Sequence, residues 1–303
     1  MRPMARFKDM ISLRHQADLA ANSLPSLMMK AEQVANGILH GDHALRKAGA
    51  GEKFWQFRDY QTGDRPQEID WRQSAKGERI FIRQKEWQIA QKTFFWCSHS
   101  SGMDYSSARD LPSKGDCARV ITLALAILLS RAHEQVGVYG EKRTGRSEAN
   151  LQHFAQTLLN TNTQKDASLP NTLGFALPQN ATLVMAGDFL DPLPRIAEAF
   201  DVLSASTSNG LIVQILDPQE MDLNFEGRVM FHDLPNGERE TVNNVASIRA
   251  QYMQRIEDHL EEVYSLCAGH GWPYVLHRTD HDISDTVTAL WLMVASAHQG
   301  VRS

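Results

Sequence analysis

Little in these 303 residues marks the chain for export, for a membrane or for nucleic acid. Its three cysteines, Cys97, Cys117 and Cys267, are odd in number and far apart, and no CxxC pair occurs. That excludes a disulfide framework or a zinc ribbon and fits a reducing cytoplasm. Cys97 and Cys117 fall on a predicted strand and a predicted helix, so inert buried thiols are expected. Long apolar runs are missing too. The greasiest, Val120 to Leu129, holds about ten residues where a bilayer span needs roughly 20. The start, MRPMARFKDMISLRHQADLAANSL, mixes charges throughout and has no apolar stretch before a small-residue cleavage site, so no signal peptide is expected. A net charge of −5 supplies no global basic field, which leaves nucleic acid a poor partner. The basic character between Arg72 and Lys92 is interrupted by acidic residues. Enzyme signatures are equally scarce, with no GxSxG elbow, no GxxxxGK[ST] phosphate loop, no HExxH and no GxGxxG after a first strand.

What is present reads as a soluble globular protein, 42% apolar and 22% charged. Residues 8–48 carry helix formers, broken near Leu24-Pro25, and the second helix, from about Ser26 to Leu45, sets Leu27, Val34, Ile38 and Leu45 on one face. From Phe54 to Gln88 the pattern is β structure with turns at Thr62-Gly63-Asp64 and Lys76-Gly77-Glu78. From Thr93 onward strands and helices alternate. TFFWC, VGVYG, ATLVMAGD, GLIVQILD, GRVMFHD and PYVLHRTD are the predicted strands. The predicted helices are Gly115 to Gln135, Glu148 to Leu159, Pro192 to Ser206 with Asp191 as N-cap, Val245 to Cys267, and Asp285 to His298. Such alternation predicts an α/β fold with a doubly wound, mostly parallel sheet, and sites gather at the carboxyl ends of its strands.

The block from Gly51 to Met103 is the most informative. It holds four of the six tryptophans (Trp55, Trp71, Trp87, Trp96) and runs into TFFWCS and the turn HSSGM. Two readings of its polar residues stand side by side. In one, Asp64 and Asp70 accept backbone N–H bonds in turns or pair with Arg65, Arg72 or Arg83, and Trp71 packs under the sheet edge. In the other, the block is an aromatic and charged surface for a partner protein. Tyr60, Gly63, Asp64, Ile69, Asp70, Trp71, Ser74, Ala75 and Lys76 stand in an order and spacing that resembles the bacterial Domain of Unknown Function 58 family. The resemblance covers about residues 50–300, and Gln67 departs from the family's arginine before Ile-Asp-Trp. It implies a core of von Willebrand factor type A type over residues 89–303, before which the residue pattern sets a β-rich block over 50–88 and an N-terminal helical extension over 1–49.

The same resemblance implies a metal-ion-dependent adhesion site at the strand end, with Ser100 and Met103 on motif positions. Ser98 replaces the motif aspartate and Gly102 the second serine. The implied metal set is therefore Ser98, Ser100 and Asp188, a degenerate one that offers a single carboxylate to an ion that demands octahedral oxygen ligands. No cofactor, or weakly bound Mg²⁺, is expected. Asp104 and Asp191 are the nearby carboxylates that would compensate, and His99 is a lone histidine without a second ligand. Relatives are commonly encoded beside MoxR-type AAA+ ATPases and are thought to act with them in chaperone-like assembly or maturation of other proteins. A cytoplasmic, non-catalytic adaptor with such an ATPase as partner is the implied function, its contacts carried by Tyr60, Asp64, Asp70, Trp71, Ser100, Met103 and Asp188. The alternative is a hydrolase, with Ser98 or Ser100 served by His277 or His99 and by Asp188. His277-x-x-Asp280 also has the look of a catalytic pair, against a plain strand-end turn.

Overall fold

The computed structural model describes residues 23–39, 54–61, 67, 69–77, 79–85, 91–160, 167–172, 175–178, 180–207, 209–232 and 239–300. The chain divides into two compact units, Ala44–Ala90 and the combination of Met1–His43 with Gln91–Ser303.

The larger unit is built on a six-stranded sheet. Its strands are β3 (Lys92–Cys97), β4 (Gln135–Val138), β5 (Thr144–Gly145), β6 (Thr182–Gly187), β7 (Asn209–Leu216) and β10 (Tyr274–Arg278). Their spatial order is β10-β7-β6-β3-β4-β5, all parallel except the short edge strand β5. Every residue of β6 is buried, as are the last five of β3 and the last seven of β7. Strands covered on both faces read as unbroken apolar runs, which is why TFFWC and LVMAG stand out in the sequence. On one face Phe94, Trp96, Leu183 and Met185 pack with Phe200, Val263 and Trp272. On the other, Phe95 meets Phe154 edge to face at 5.3 Å.

The helices of this unit are α1 (residues 23–39), α3 (Lys114–Arg131), α4 (Glu148–Leu159), α5 (Leu193–Ser204), α6 (Pro218–Asp222), α7 (Arg249–Gly269) and α8 (Ile283–Gly300). Helix α3 is buried almost all round and packs against both α4 and α8. Arg131 at its end donates to Asn36 Oδ1 of α1 at 2.7 Å. Among the described residues no helix is long and apolar enough to cross a membrane.

Several boundaries differ from the sequence expectation. Helix α3 stops at Arg131, because His133 takes a left-handed φ of 68° and Gln135 already belongs to β4. Helix α5 is capped by Pro192, without a side-chain cap, and Asp191 instead accepts from Ser168 Oγ and Arg195. GRVMFHD does not join the sheet. Its β8 (Val229–His232) pairs with an unexpected β9 (Arg239–Val242) as a separate antiparallel ribbon. Leu27 and Ile38 of the predicted amphipathic face are buried, while Leu45 lies outside the described residues.

The smaller unit pairs β1 (Phe54–Asp59) with β2 (Phe81–Lys85) in antiparallel fashion. Between them Ile69 bridges to Ile82, and Asp70 caps the single-turn helix α2 (Trp71–Ser74) by accepting from Gln73 N at 2.9 Å. Ser74 Oγ donates to Asp70 O and accepts from Phe81 N, at 2.8 and 2.9 Å. The Ile-Asp-Trp-x-x-Ser spacing is thus a loop-closing device. Trp71 is 65% exposed, which departs from the reading that packs it under the sheet edge, because α2 turns its indole outward.

Gly210 in β7 tests the packing of the sheet, since a Cβ there would sit inside the ring of Trp272. Gly210→Ala should lower stability by about 1–3 kcal/mol. Gly37→Ala in α1, where a Cβ meets nothing, should raise it by up to about 1 kcal/mol. Urea unfolding midpoints of the two variants check both signs.

Candidate functional site: a polar crevice at the carboxyl rim

Strand order decides where a site can form. From β3 the chain crosses to β4 on one side and then to β6 on the other, so β3 is the switch point, and doubly wound sheets place their crevice at the carboxyl end of that point. The two strands are in parallel register as far as Cys97 opposite Ala186, and Ser98 N donates to Ala186 O at 2.8 Å. The expectation that these two loops share one rim is met.

Each loop is tightly built. Ser98 is 4% exposed, and its Oγ accepts from Ser100 N at 3.3 Å and donates to Ala167 O at 3.5 Å. Ser100 caps the 3-10 turn Ser101–Asp104 by accepting from Gly102 N at 3.2 Å. A Cβ on Gly102 would stand 3.1 Å from Asp188 Oδ2 and 3.5 Å from Ser100 Oγ, so the turn lies hard against the β6 loop. Met103, expected at a contact surface, is instead buried, and its carbonyl backs onto Gly115 at the start of α3. Across the crevice Phe189 follows Asp188 at a φ of 47°, a costly conformation for a bulky residue. It is held by full burial of the ring and by the bond of its carbonyl to His259 Nε2 at 2.7 Å.

The centre of the rim is an ion cluster that the sequence reading missed. Lys114, first residue of α3, is only 1% exposed, and its Nζ donates to Asp188 Oδ2 at 3.0 Å and to Glu220 Oε1 at 2.6 Å. Glu220 lies in α6, just beyond β7. Its other oxygen accepts from Asp217 N at 2.9 Å, which completes a capping box with Asp217. The fully buried Asp217 accepts from Ser107 N at 2.9 Å, tying α6 to the β3–α3 loop. Burial pushes the Glu220 carboxyl up, against the pull of the Lys114 ammonium. Tyr105 is pushed up to about 12, first by burial and then by Asp217 and Glu220. A sequence signal for this cluster existed in Asp217-Pro218-Gln219-Glu220, an N-cap, proline and acidic third position after a strand.

Other predicted residues are engaged elsewhere. Asp104 is exposed on the 3-10 turn, Asp191 holds Ser168 and Arg195, and His99 is partly buried with its pKa lowered by that burial and by Arg119. Among the described residues no three His, Cys, Asp or Glu side chains are grouped to hold a metal ion. The hydrolase constellation is not assembled by these contacts: His277 Nδ1 bonds Thr286 Oγ1 at 2.8 Å, and Asp280 turns to Arg278 at 3.1 Å. The three thiols are buried, with Cys97 pushed up to about 11 and Cys117 and Cys267 to about 12, chiefly by that burial. In the smaller unit Tyr60 is 38% exposed, Asp70 serves as a cap, and Asp64 lies outside the described residues.

Fold and rim together define an α/β protein whose sheet carries an ion cluster at its switch point. The family described as "Protein of unknown function DUF58" matches residues 56–262, more than half the chain, and the chain belongs to that family. An uncharacterized protein of Mycobacterium bovis and two of Mycobacterium tuberculosis are each 25% identical to it, over 92% of this chain and 90% of the relative. No solved structure gives a significant match.

His277 supplies a pH test. Burial, followed by the nearby His281, lowers its pKa to about 4 from the usual 6.5. Above pH 6.5 the ring is neutral folded or unfolded and contributes no pH dependence. Between 6.5 and 4 only the unfolded chain takes up the proton, so stability falls with pH. From pH 7 to pH 5 the wild type should lose about 2 kcal/mol more than His277→Gln, measured by urea unfolding at each pH.

Proposed function

We propose that this chain is a non-catalytic, cytoplasmic protein-interaction adaptor with a von Willebrand factor type A-like core, and that it docks a partner at the carboxyl rim of its sheet. The partner we propose is a MoxR-type AAA+ ATPase, acting with the chain in chaperone-like assembly or maturation of other proteins. The observation that carries the reading is the state of the rim's polar groups. Ser98 Oγ bonds a loop amide and a loop carbonyl, Ser100 Oγ accepts from a loop amide, and Asp188 Oδ2 holds Lys114, so these three groups serve the structure of the rim and none is bonded to a base. A nucleophile needs a base within hydrogen-bond reach, and the hydroxyls of Ser98 and Ser100 bond backbone groups while His277 Nδ1 bonds Thr286.

Two further features favour docking. Leu190, in the loop just after β6, is 39% exposed beside the crevice, and an exposed apolar residue flanked by polar loops suits a protein contact. On the smaller unit Trp71 and Tyr60 are exposed aromatics of the kind that anchor interfaces. The family resemblance supports the ATPase as the partner.

Co-purification with a MoxR-type ATPase encoded in the same genome tests the proposal. Leu190→Asp should weaken capture at least tenfold, whereas Val202→Asp, on the exposed side of α5 and 46% accessible, should not. Equal capture of both variants would remove the rim from the account. Turnover of ester or phosphoester substrates that disappears in Ser100→Ala would replace the adaptor with a hydrolase.

A further inference from the structure

The position of Lys114 is unfavourable on three counts. An ammonium loses its hydration when it is buried to 1% exposure. The N-terminus of an 18-residue helix carries partial positive charge and repels a cation. A buried ion pair of this kind is also commonly no more stabilising than a well-packed apolar residue. What offsets these costs is specific: two carboxylates from two different loops, at 3.0 and 2.6 Å, converge on a single nitrogen. Asp188 Oδ2 is also the atom that faces Gly102, with Ser100 Oγ close by. Two carboxylates that converge on one positive charge, one from the loop after β6 and one from α6, form a cation site, and here the cation is covalently part of the chain.

We infer that Lys114 is the resident cation of the rim crevice, standing where the loops would otherwise gather a divalent ion, so that contacts made at this rim form without one. A second cation in the crevice would face the ammonium at close range, and Asp188 and Glu220 are already shared with it. The donor set therefore does not fit Mg²⁺ while Lys114 is in place. Removal of the ammonium leaves Asp188 and Glu220 facing a space that calls for positive charge, and carboxylates are oxygen ligands of the kind hard cations take. The second half of the inference, ion-independent docking, rests on the adaptor reading; the first half does not.

Calorimetric titration of the full chain with Mn²⁺ tests the first half. The wild type should show no binding tighter than millimolar. Lys114→Ala should gain at least tenfold, and Gly102→Ser added to it should tighten binding further through a hydroxyl set beside Asp188. If the single variant does not fold, Lys114→Met/Glu220→Gln removes the charge together with one counter-charge and should still bind Mn²⁺ above the wild-type level. A third arm needs no variant: acetylation of amines on the native chain should leave Lys114 unmodified while labelling the exposed Lys142. Micromolar Mn²⁺ binding by the wild type, no gain in a folded Lys114 variant, or acetylation of Lys114 as fast as Lys142 would each overturn the inference. The ATPase co-purification repeated in EDTA tests the second half. Capture should persist, and its loss in EDTA alone would contradict ion-independence while leaving the adaptor reading intact. No capture in any buffer would count against the adaptor reading and leave the titration result standing.

Discussion

A single ammonium ties together three parts of the chain that are far apart in sequence. Lys114 fixes the start of α3, Asp188 the loop after β6, and Glu220 the short helix after β7. Each of these follows or precedes a strand or helix of the parallel sheet, so the cluster closes the rim as a buckle would. Taking one member of such a buried pair away leaves an unpaired charge, at a cost of about 3–5 kcal/mol. The neighbouring contacts depend on the same closure. Asp217 reaches Ser107, Gly102 lies against Asp188, and Phe189 is kept in its strained conformation by the core beneath it.

This arrangement bears directly on function. A rim whose loops are bound to one another by side-chain and backbone bonds is preorganised, and binding to a rigid surface costs less ordering entropy than binding to a mobile one. Its ammonium is also satisfied inside the chain, by two carboxylates. Under the proposed adaptor reading, recognition here would draw on shape, on exposed apolar residues such as Leu190, and on backbone groups, more than on an ion shared across the interface.

The parallel sheet was legible in the sequence because strands buried on both faces leave unbroken apolar runs, as in Phe94 to Cys97 and Leu183 to Ala186. Asp188 and the serines of the turn were legible for a related reason: they sit where such runs end. The end of α3 was not, since His133 and not a glycine takes the left-handed conformation that stops it. Strand β8 was expected, but its partner β9 escaped notice because Arg239-Glu240-Thr241-Val242 is polar and exposed and carries no apolar period. Trp71 was misplaced because a tryptophan between charged residues gives no sign of which way a one-turn helix will face. The ion cluster was hardest to see. Lys114, Asp188 and Glu220 are ordinary surface residue types, and only the fold reveals that positions 74 and 106 residues away from the lysine meet at its nitrogen.

The central claim is that the chain carries its own cation at the switch point of the sheet. A crystal structure from Mn²⁺-soaked crystals, with anomalous diffraction data, tests it most directly. The account predicts no anomalous peak in the crevice and Lys114 Nζ within hydrogen-bond distance of both Asp188 and Glu220. A manganese peak between Asp188 and the Ser98–Gly102 turn, with the lysine displaced toward solvent, would contradict it.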